Sequence, residues 1–138
     1  MKNYLLIEED DFEILKAERS FLASELAKSA RLRTVKNGLE AIDYLLGTPP
    51  YNNPVAFPRP DVIVLDVVLP KLNGLEFLEW LQQDAAVADI PVIAVSGSIS
   101  PDEIRRAFDL GAAQYYPKPI DWMEIARFVE GLEAEGRD

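Results

Sequence analysis

Carboxylate side chains cluster at two points of the sequence, each directly after a run of apolar residues. Four acids, Glu8 to Asp11, follow the run YLLI, and Asp66 follows the run VIVL. Carboxylates held close together repel one another, and a hard divalent cation such as Mg²⁺ is the usual way to relieve that repulsion. A carboxylate can also attack phosphorus and form an aspartyl phosphate. The acids therefore predict chemistry that involves a cation, a phosphoryl group, or both.

A hydroxyl and an amine follow two further runs of strand type. Ser96 comes after PVIAV, and Lys118 comes shortly after the run QYY. Such groups can bind the oxygens of a transferred phosphoryl group. Asp66 lies between the other groups in the predicted order of the strands, which makes it the best candidate for the nucleophile.

The elements that must position these residues alternate along the chain. Short apolar runs of strand type are separated by stretches with helical spacing of apolar residues. The predicted strands are Tyr4–Ile7, Arg31–Lys36, Val62–Leu65, Pro91–Val95 and Gln114–Tyr116, and the predicted helices are Phe12–Lys28, Gly38–Leu46, Asn73–Gln83, Ser100–Leu110 and Asp121–Leu132.

This βαβαβαβαβα order predicts an α/β fold with a parallel sheet and helices on both faces. Five strands suit a flavodoxin-like, doubly wound (βα)5 sheet with strand order 2-1-3-4-5. Ligands bind such sheets at the carboxyl ends of the strands, near the point where the strand order reverses. We therefore expect the acids, the hydroxyl and the lysine to converge on one edge.

One irregular segment interrupts the pattern before the third strand. Gly47–Pro60 holds five of the ten prolines, so it fits neither a helix nor a central strand. We interpret it as a long surface loop within a single domain that spans residues 1–138, of which residues 133–138 form a polar tail.

Composition excludes several classes of function. The chain has 138 residues with 14 Lys and Arg against 24 Asp and Glu, which gives a net charge of −10. That charge argues against a surface for nucleic acid or anionic lipid. Cys and His are both missing, which excludes disulfides, thiolate chemistry and imidazole bases. No apolar run could span a membrane, and no signal peptide is recognisable, so we predict a cytoplasmic protein.

Taken together, the motifs resemble the receiver domain of bacterial two-component response regulators. The resemblance extends from Tyr4 to about Leu132 and rests on LLIEEDD, VIVLDVVLPKLNGLEFL, PVIAVSG and GAAQYYPKP, with Asp66, Pro70, Gly74, Ser96, Tyr115 and Lys118 at the matching places. The long proline-rich loop is similar to that of stand-alone receivers, some of which serve phytochrome-type sensor kinases.

The resemblance implies a role for each matching residue. Asp66 would accept a phosphoryl group from a sensor histidine kinase or a phosphotransfer protein. Mg²⁺ would be held by Asp66, the acids after the first strand and the backbone carbonyl of Val68. Ser96 and Lys118 would bind the phosphoryl oxygens. The peptide bond before Pro119 would be cis.

The same resemblance implies a switch. Tyr115 would change rotamer together with Ser96 when Asp66 is phosphorylated. That change would alter the face formed by the fourth helix, fifth strand and fifth helix, which would contact a downstream protein. The sequence leaves open whether that face also forms a homodimer.

Members of this family usually have a pair of acids after the first strand that bind the metal ion. The run of four acids here leaves open which two residues form that pair. Counting back from the apolar face of the first helix makes the acidic pair Glu9 and Asp10. Counting forward from the apolar strand makes it Glu8 and Glu9. We prefer Glu9 and Asp10, because Asp10 supplies the short ligand that the family usually has.

Three other functions are compatible with parts of the sequence. A receiver fold that binds partners without phosphorylation is the main alternative. A phosphatase with an aspartyl nucleophile is disfavoured, because Val67 and Val68 follow Asp66 where haloacid-dehalogenase-type enzymes have a second Asp. A flavodoxin is disfavoured, because acids stand where its phosphate-binding loop would lie.

Overall fold

The computed structural model describes residues 1–68, 73–97 and 100–136. Strands and helices alternate along these residues as the sequence predicts. The elements are β1 (Lys2–Ile7), α1 (Asp11–Ala23), β2 (Ala30–Val35), α2 (Gly38–Leu46), β3 (Val62–Asp66), α3 (Gly74–Gln83), β4 (Val92–Ser96), α4 (Pro101–Asp109), β5 (Gln114–Pro117) and α5 (Trp122–Ala134).

The five strands form one parallel sheet in the order β2-β1-β3-β4-β5, which confirms the predicted topology. β3 and β4 are buried along their whole length, as expected of strands with helices on both faces. In the register, Ile7 pairs with Leu65, Asp66 with Val95, and Ser96 with Pro117. The carboxyl ends of these four strands therefore meet at one edge of the sheet.

Alternate residues of each strand feed two separate cores. In β1, Leu5 and Ile7 pack with residues of α2, α3 and α4, whereas Tyr4 and Leu6 pack with residues of α1 and α5. Tyr4 belongs to an aromatic group with Phe21 and Trp122, and burial raises its pKa to about 12. The two cores hold the sheet between helices, so the edge that carries the polar residues is fixed in place.

Two helix ends differ from the prediction by more than one residue. α1 ends at Ala23 and not at Lys28, because Ser24 is extended and both its N–H and its hydroxyl donate to the carbonyl of Phe21. A short 3-10 helix, Glu25–Lys28, follows. α5 continues to Ala134, so the predicted polar tail begins inside a helix. Arg137 and Asp138 of that tail, and Pro70 of the second motif, lie outside the described residues.

The segment from Gly47 to Pro60 contains no strand or helix, as predicted, but it is packed onto the domain. The rings of Tyr51 and Phe57 lie 5.3 and 5.9 Å from the ring of Tyr44, centroid to centroid. The Tyr44 hydroxyl donates to the carbonyl of Pro58 over 3.0 Å. The loop is therefore an integral part of the fold. Among the described residues, no helix is long and apolar enough to cross a membrane.

Candidate functional site

Asp66 is the last residue of β3 and only 6% exposed. Its Oδ1 accepts a hydrogen bond of 2.9 Å from the N–H of Val68, and its Oδ2 lies 3.0 Å from the Nζ of Lys118. One oxygen is thus held by the turn that follows the strand. The other faces a cation.

Glu8 is the first residue after β1 and is 2% exposed. Its Oε1 accepts a hydrogen bond from the Nζ of Lys118, and its Oε2 accepts one of 3.2 Å from the N–H of Asp10. The Lys118 ammonium therefore bridges the carboxylates of Glu8 and Asp66. With all three groups ionised, this buried triad carries a net charge of −1.

The electrostatics of the triad follow from burial and pairing. Burial raises the pKa of the Glu8 carboxyl and the Asp66 charge adds to this rise, whereas the hydrogen bond from Lys118 partly offsets it. Burial alone would lower the pKa of Lys118, but the hydrogen bonds to Glu8 and Asp66 outweigh it and raise that pKa. Lys118 is therefore a permanent cation at neutral pH.

The backbone at the end of β5 places Lys118 beside the other strand ends. Its N–H donates to the carbonyl of Ser96 over 2.9 Å, which ties the residue to the end of β4. The peptide bond between Lys118 and Pro119 is cis, which confirms the expectation drawn from the resemblance.

Because Gly74 has no side chain, α3 can begin in close contact with the backbone of Asp66 and Val67. A Cβ at this position would lie 2.5 Å from the Cα of Val67 and 2.7 Å from the carbonyl oxygen of Asp66. Asn73 and Glu76 close a reciprocal capping box at the same helix end. The sequence singled out Gly74 only through its motif, whereas the structure shows that its missing side chain sets the distance between α3 and Asp66.

Ser96 and Tyr115, the two predicted switch residues, lie on adjacent strands. Ser96 ends β4, is 1% exposed, and has its hydroxyl oxygen 3.4 Å from the Oε1 of Glu103 on α4. Tyr115 pairs with Ala94 in the sheet, is half-buried and packs against the core on the α4 side. Both residues thus face the part of the fold to which α4 belongs.

The four acids after β1 have separate environments. Glu9 and Asp10 are exposed, and the Asp10 carboxylate caps α1 by accepting the N–H of Glu13 over 3.0 Å. Asp11 is exposed and pairs with Lys36 over 2.6 Å. The acid that joins Asp66 and Lys118 is therefore Glu8, which the preferred register left out. The signal that would have found it is the end of the apolar run at Ile7.

The donor atoms at this edge suit a hard cation. Carboxylate oxygens of Glu8 and Asp66 are buried together, and the carbonyl of Val68 follows in the same turn. In the part of the chain that the structure describes, no group of three acids is close enough to hold a metal ion. A cation here would take its remaining ligands from water and phosphate oxygens, as Mg²⁺ commonly does.

Comparison with known proteins agrees with this geometry. Residues 5–130 match the model of the response regulator receiver domain family. The chain is 30% identical over 133 residues to the polar-differentiation response regulator DivK of Brucella anthropi, covering 96% of this chain and 94% of that protein.

Two solved structures give the same result. The phosphorylated cyanobacterial phytochrome response regulator RcpA is 32% identical, with a TM-score of 0.75 over 96% of this chain and 91% of that one. The Mn²⁺-bound response regulator Rcp1 is 26% identical, with a TM-score of 0.76 over 100% and 96% of the two chains. A parallel sheet in the order 2-1-3-4-5, a buried aspartate at the end of its third strand and these relatives together place the chain in the receiver domain family of two-component response regulators.

Proposed function

We propose that Asp66 accepts a phosphoryl group from the phosphohistidine of a sensor histidine kinase or a phosphotransfer protein. The observation that carries this proposal is the position of the Asp66 Oδ2, buried at the carboxyl edge of the sheet and 3.0 Å from the Nζ of Lys118. A carboxylate in this position is shielded from bulk water, yet it faces the cation that a phosphoryl group needs.

The transfer makes one bond and breaks one. An oxygen of the Asp66 carboxylate attacks phosphorus, the O–P bond forms, the N–P bond of the phosphohistidine breaks, and its electron pair returns to the imidazole. Lys118 turns from its shared position between Glu8 and Asp66 to the phosphoryl oxygens. The Ser96 hydroxyl donates to another phosphoryl oxygen.

We further propose that Mg²⁺ supports the transfer. Receiver domains in general bind this ion. Its ligands here would be the carboxylate of Asp66, the backbone carbonyl of Val68 and the acids Glu8 and Glu9, while Asp10 remains the cap of α1. When bound, the ion supplies positive charge against the phosphoryl oxygens. Glu8 contributes by keeping one buried carboxylate beside Asp66.

Phosphorylation of Asp66 would alter the face that α4, β5 and α5 share. Its negative charge and acceptor oxygens would draw Ser96 and Lys118 inward, and Tyr115 would move into the space next to Ser96. The output is contact with a downstream protein rather than catalysis on a small molecule. Slow hydrolysis of the acyl phosphate by water would return the domain to its resting state.

The test is phosphoryl uptake from acetyl phosphate, measured by intact mass with and without Mg²⁺. We expect wild-type protein to gain one phosphoryl group in the presence of Mg²⁺ and Asp66→Asn to gain none. Asp61→Asn is the matched control, because Asp61 precedes the same strand at the opposite edge and is exposed. No uptake by the wild type under any condition would favour the adaptor that works without phosphorylation.

A further inference from the structure

We infer that Glu103 is a positioning residue that holds Ser96 in the resting state and releases it when Asp66 is phosphorylated. This inference rests on the proposed function, because it concerns the hydroxyl that binds the phosphoryl group. Its basis is the contact between the Ser96 Oγ and the Glu103 Oε1, 3.4 Å apart, which joins the end of β4 to the first turn of α4.

The first turns of α3 and α4 carry the same capping sequence but use it differently. Each helix has a polar N-cap, Asn73 or Ser100, followed three residues later by a glutamate. In α3 the Glu76 carboxylate returns to the N–H of Asn73 over 3.3 Å and closes a capping box. In α4 the Ser100 hydroxyl accepts the N–H of Glu103 over 3.3 Å, and the Glu103 carboxylate accepts the Ser96 hydroxyl instead.

The contact of the Glu103 carboxylate with Ser96 competes with the binding of a phosphoryl group by Ser96. A hydroxyl has one proton to donate, so Ser96 cannot give it to Glu103 and to a phosphoryl oxygen at the same time. A bond of 3.4 Å is long for a hydroxyl and a carboxylate, and it yields to a shorter bond with a phosphoryl dianion. The negative charge of Glu103 also opposes a second negative charge nearby.

Once Ser96 has left it, Glu103 can cap the first turn of α4 in the way that Glu76 caps α3. Its carboxylate then returns to the N–H of Ser100 and completes the capping box, which steadies the first turn of α4. Glu103 thus connects the state of Asp66 to the helix that begins the proposed output face. Hydrogen exchange at the first-turn amides of α4 should slow on phosphorylation.

The deciding experiment compares phosphoryl uptake in Glu103→Gln and in wild type. Glutamine keeps the ability to cap α4 but forms a weaker, uncharged bond with Ser96. At a fixed concentration of acetyl phosphate and Mg²⁺, we expect the ratio of phosphorylated to unphosphorylated protein to rise about fivefold. The same substitution in a Ser96→Ala background should change that ratio by less than about twofold.

Asp102→Asn is the matched control, because Asp102 loses the same charge in the same turn but is exposed and pairs with Arg105. The inference is overturned if Asp102→Asn raises the ratio as much as Glu103→Gln, or if Glu103→Gln acts equally in the Ser96→Ala background. Either result would show a general effect of charge. An unchanged or lower ratio would also overturn it.

Failure of the proposed function would look different. In that case the wild type itself takes up no phosphoryl group, whatever residue stands at position 103. The free energy of unfolding in urea is then measured for the wild type, Ser96→Ala, Glu103→Gln and the double variant. This cycle gives the coupling energy between Ser96 and Glu103 in the unphosphorylated protein. A coupling energy of zero in that cycle would overturn the resting-state contact as well.

Discussion

The two ends of β3 carry aspartates with opposite environments. Asp61, just before the strand, is exposed and accepts the N–H of Asn3 over 2.8 Å. Asp66, the last residue of the strand, is 6% exposed and shares Lys118 with Glu8. The same contrast holds for the lysines, because Lys2 at the Asp61 edge pairs with Glu133 at the surface.

The charged groups at the two edges therefore contribute differently to the free energy of folding. Surface pairs such as Lys2 and Glu133 are screened by water and contribute little to stability. Two buried carboxylates that share one ammonium interact strongly, and the surplus negative charge disfavours the folded state. The carboxyl edge is therefore arranged for binding rather than for stability, whereas the opposite edge is an ordinary protein surface.

Lys118→Met should have the largest effect, because it leaves two buried carboxylates without a cation. We expect a loss of about 3 kcal/mol in the free energy of unfolding at pH 7, measured by urea denaturation. Phosphoryl uptake should be lost as well. The loss of stability should shrink on acidification, since burial raises the pKa of Glu8 and its protonation removes the repulsion between the two side chains. A loss that stays constant between neutral and acidic pH would show that repulsion between buried carboxylates is not its cause.

Gly74→Ala should have the next largest effect. The added methyl group would meet backbone atoms of Val67 and Asp66 that cannot move aside without shifting β3 or α3. We expect about 2 kcal/mol of destabilisation and slower phosphoryl uptake. Gly97→Ala is the matched control at the same edge, because a Cβ there has no atom within 4 Å. Equal effects of the two substitutions would show that close packing against Asp66 is unimportant.

Glu8→Gln should stabilise the protein at neutral pH by about 1 kcal/mol when divalent cations are removed. Burial, together with the Asp66 charge, raises the pKa of Glu8 in the folded state, so the folded protein binds this proton more tightly than the unfolded chain does. Stability therefore falls as the pH rises from the unfolded pKa through the raised folded pKa. In Glu8→Gln, the free energy of unfolding should change less with pH in this range. A dependence as steep as that of the wild type would show that the raised pKa does not belong to Glu8.

Lys2→Met should have the smallest effect. It removes an ion pair at the opposite edge whose two side chains are 34% and 44% exposed. We expect less than about 1 kcal/mol of destabilisation and normal phosphoryl uptake. An effect close to that of Lys118→Met would erase the distinction between the two edges.

Most of the fold could be predicted from the sequence because it depends on local patterns. Apolar runs and helical spacing locate the strands and helices, and their alternation determines the parallel order. The break at Ser24 was missed, because the apolar spacing of α1 continues through it and only the hydrogen bonds to Phe21 reveal it. The packing of Tyr51 and Phe57 on Tyr44 was missed for a similar reason, since it depends on the path of the loop.

The candidate site could be predicted in part. Asp66, Ser96 and Lys118 follow strands, and strand ends are visible in the sequence. Glu8 was not preferred, because counting back from the first helix and counting forward from the apolar run that ends at Ile7 select different acids, and the first count was given more weight. The contact between Glu103 and Ser96 could not be predicted, because a glutamate in the first turn of α4 can also cap its own helix, and only the folded chain places it beside Ser96.

If the buried carboxyl edge serves phosphoryl transfer, the acyl phosphate forms on Asp66. The most direct test treats the phosphorylated protein with borohydride, which reduces an acyl phosphate to an alcohol, and locates the altered residue by peptide mass spectrometry. We expect a single Mg²⁺-dependent modification, at Asp66. Modification of Glu8 or of any other residue in place of Asp66 would contradict it.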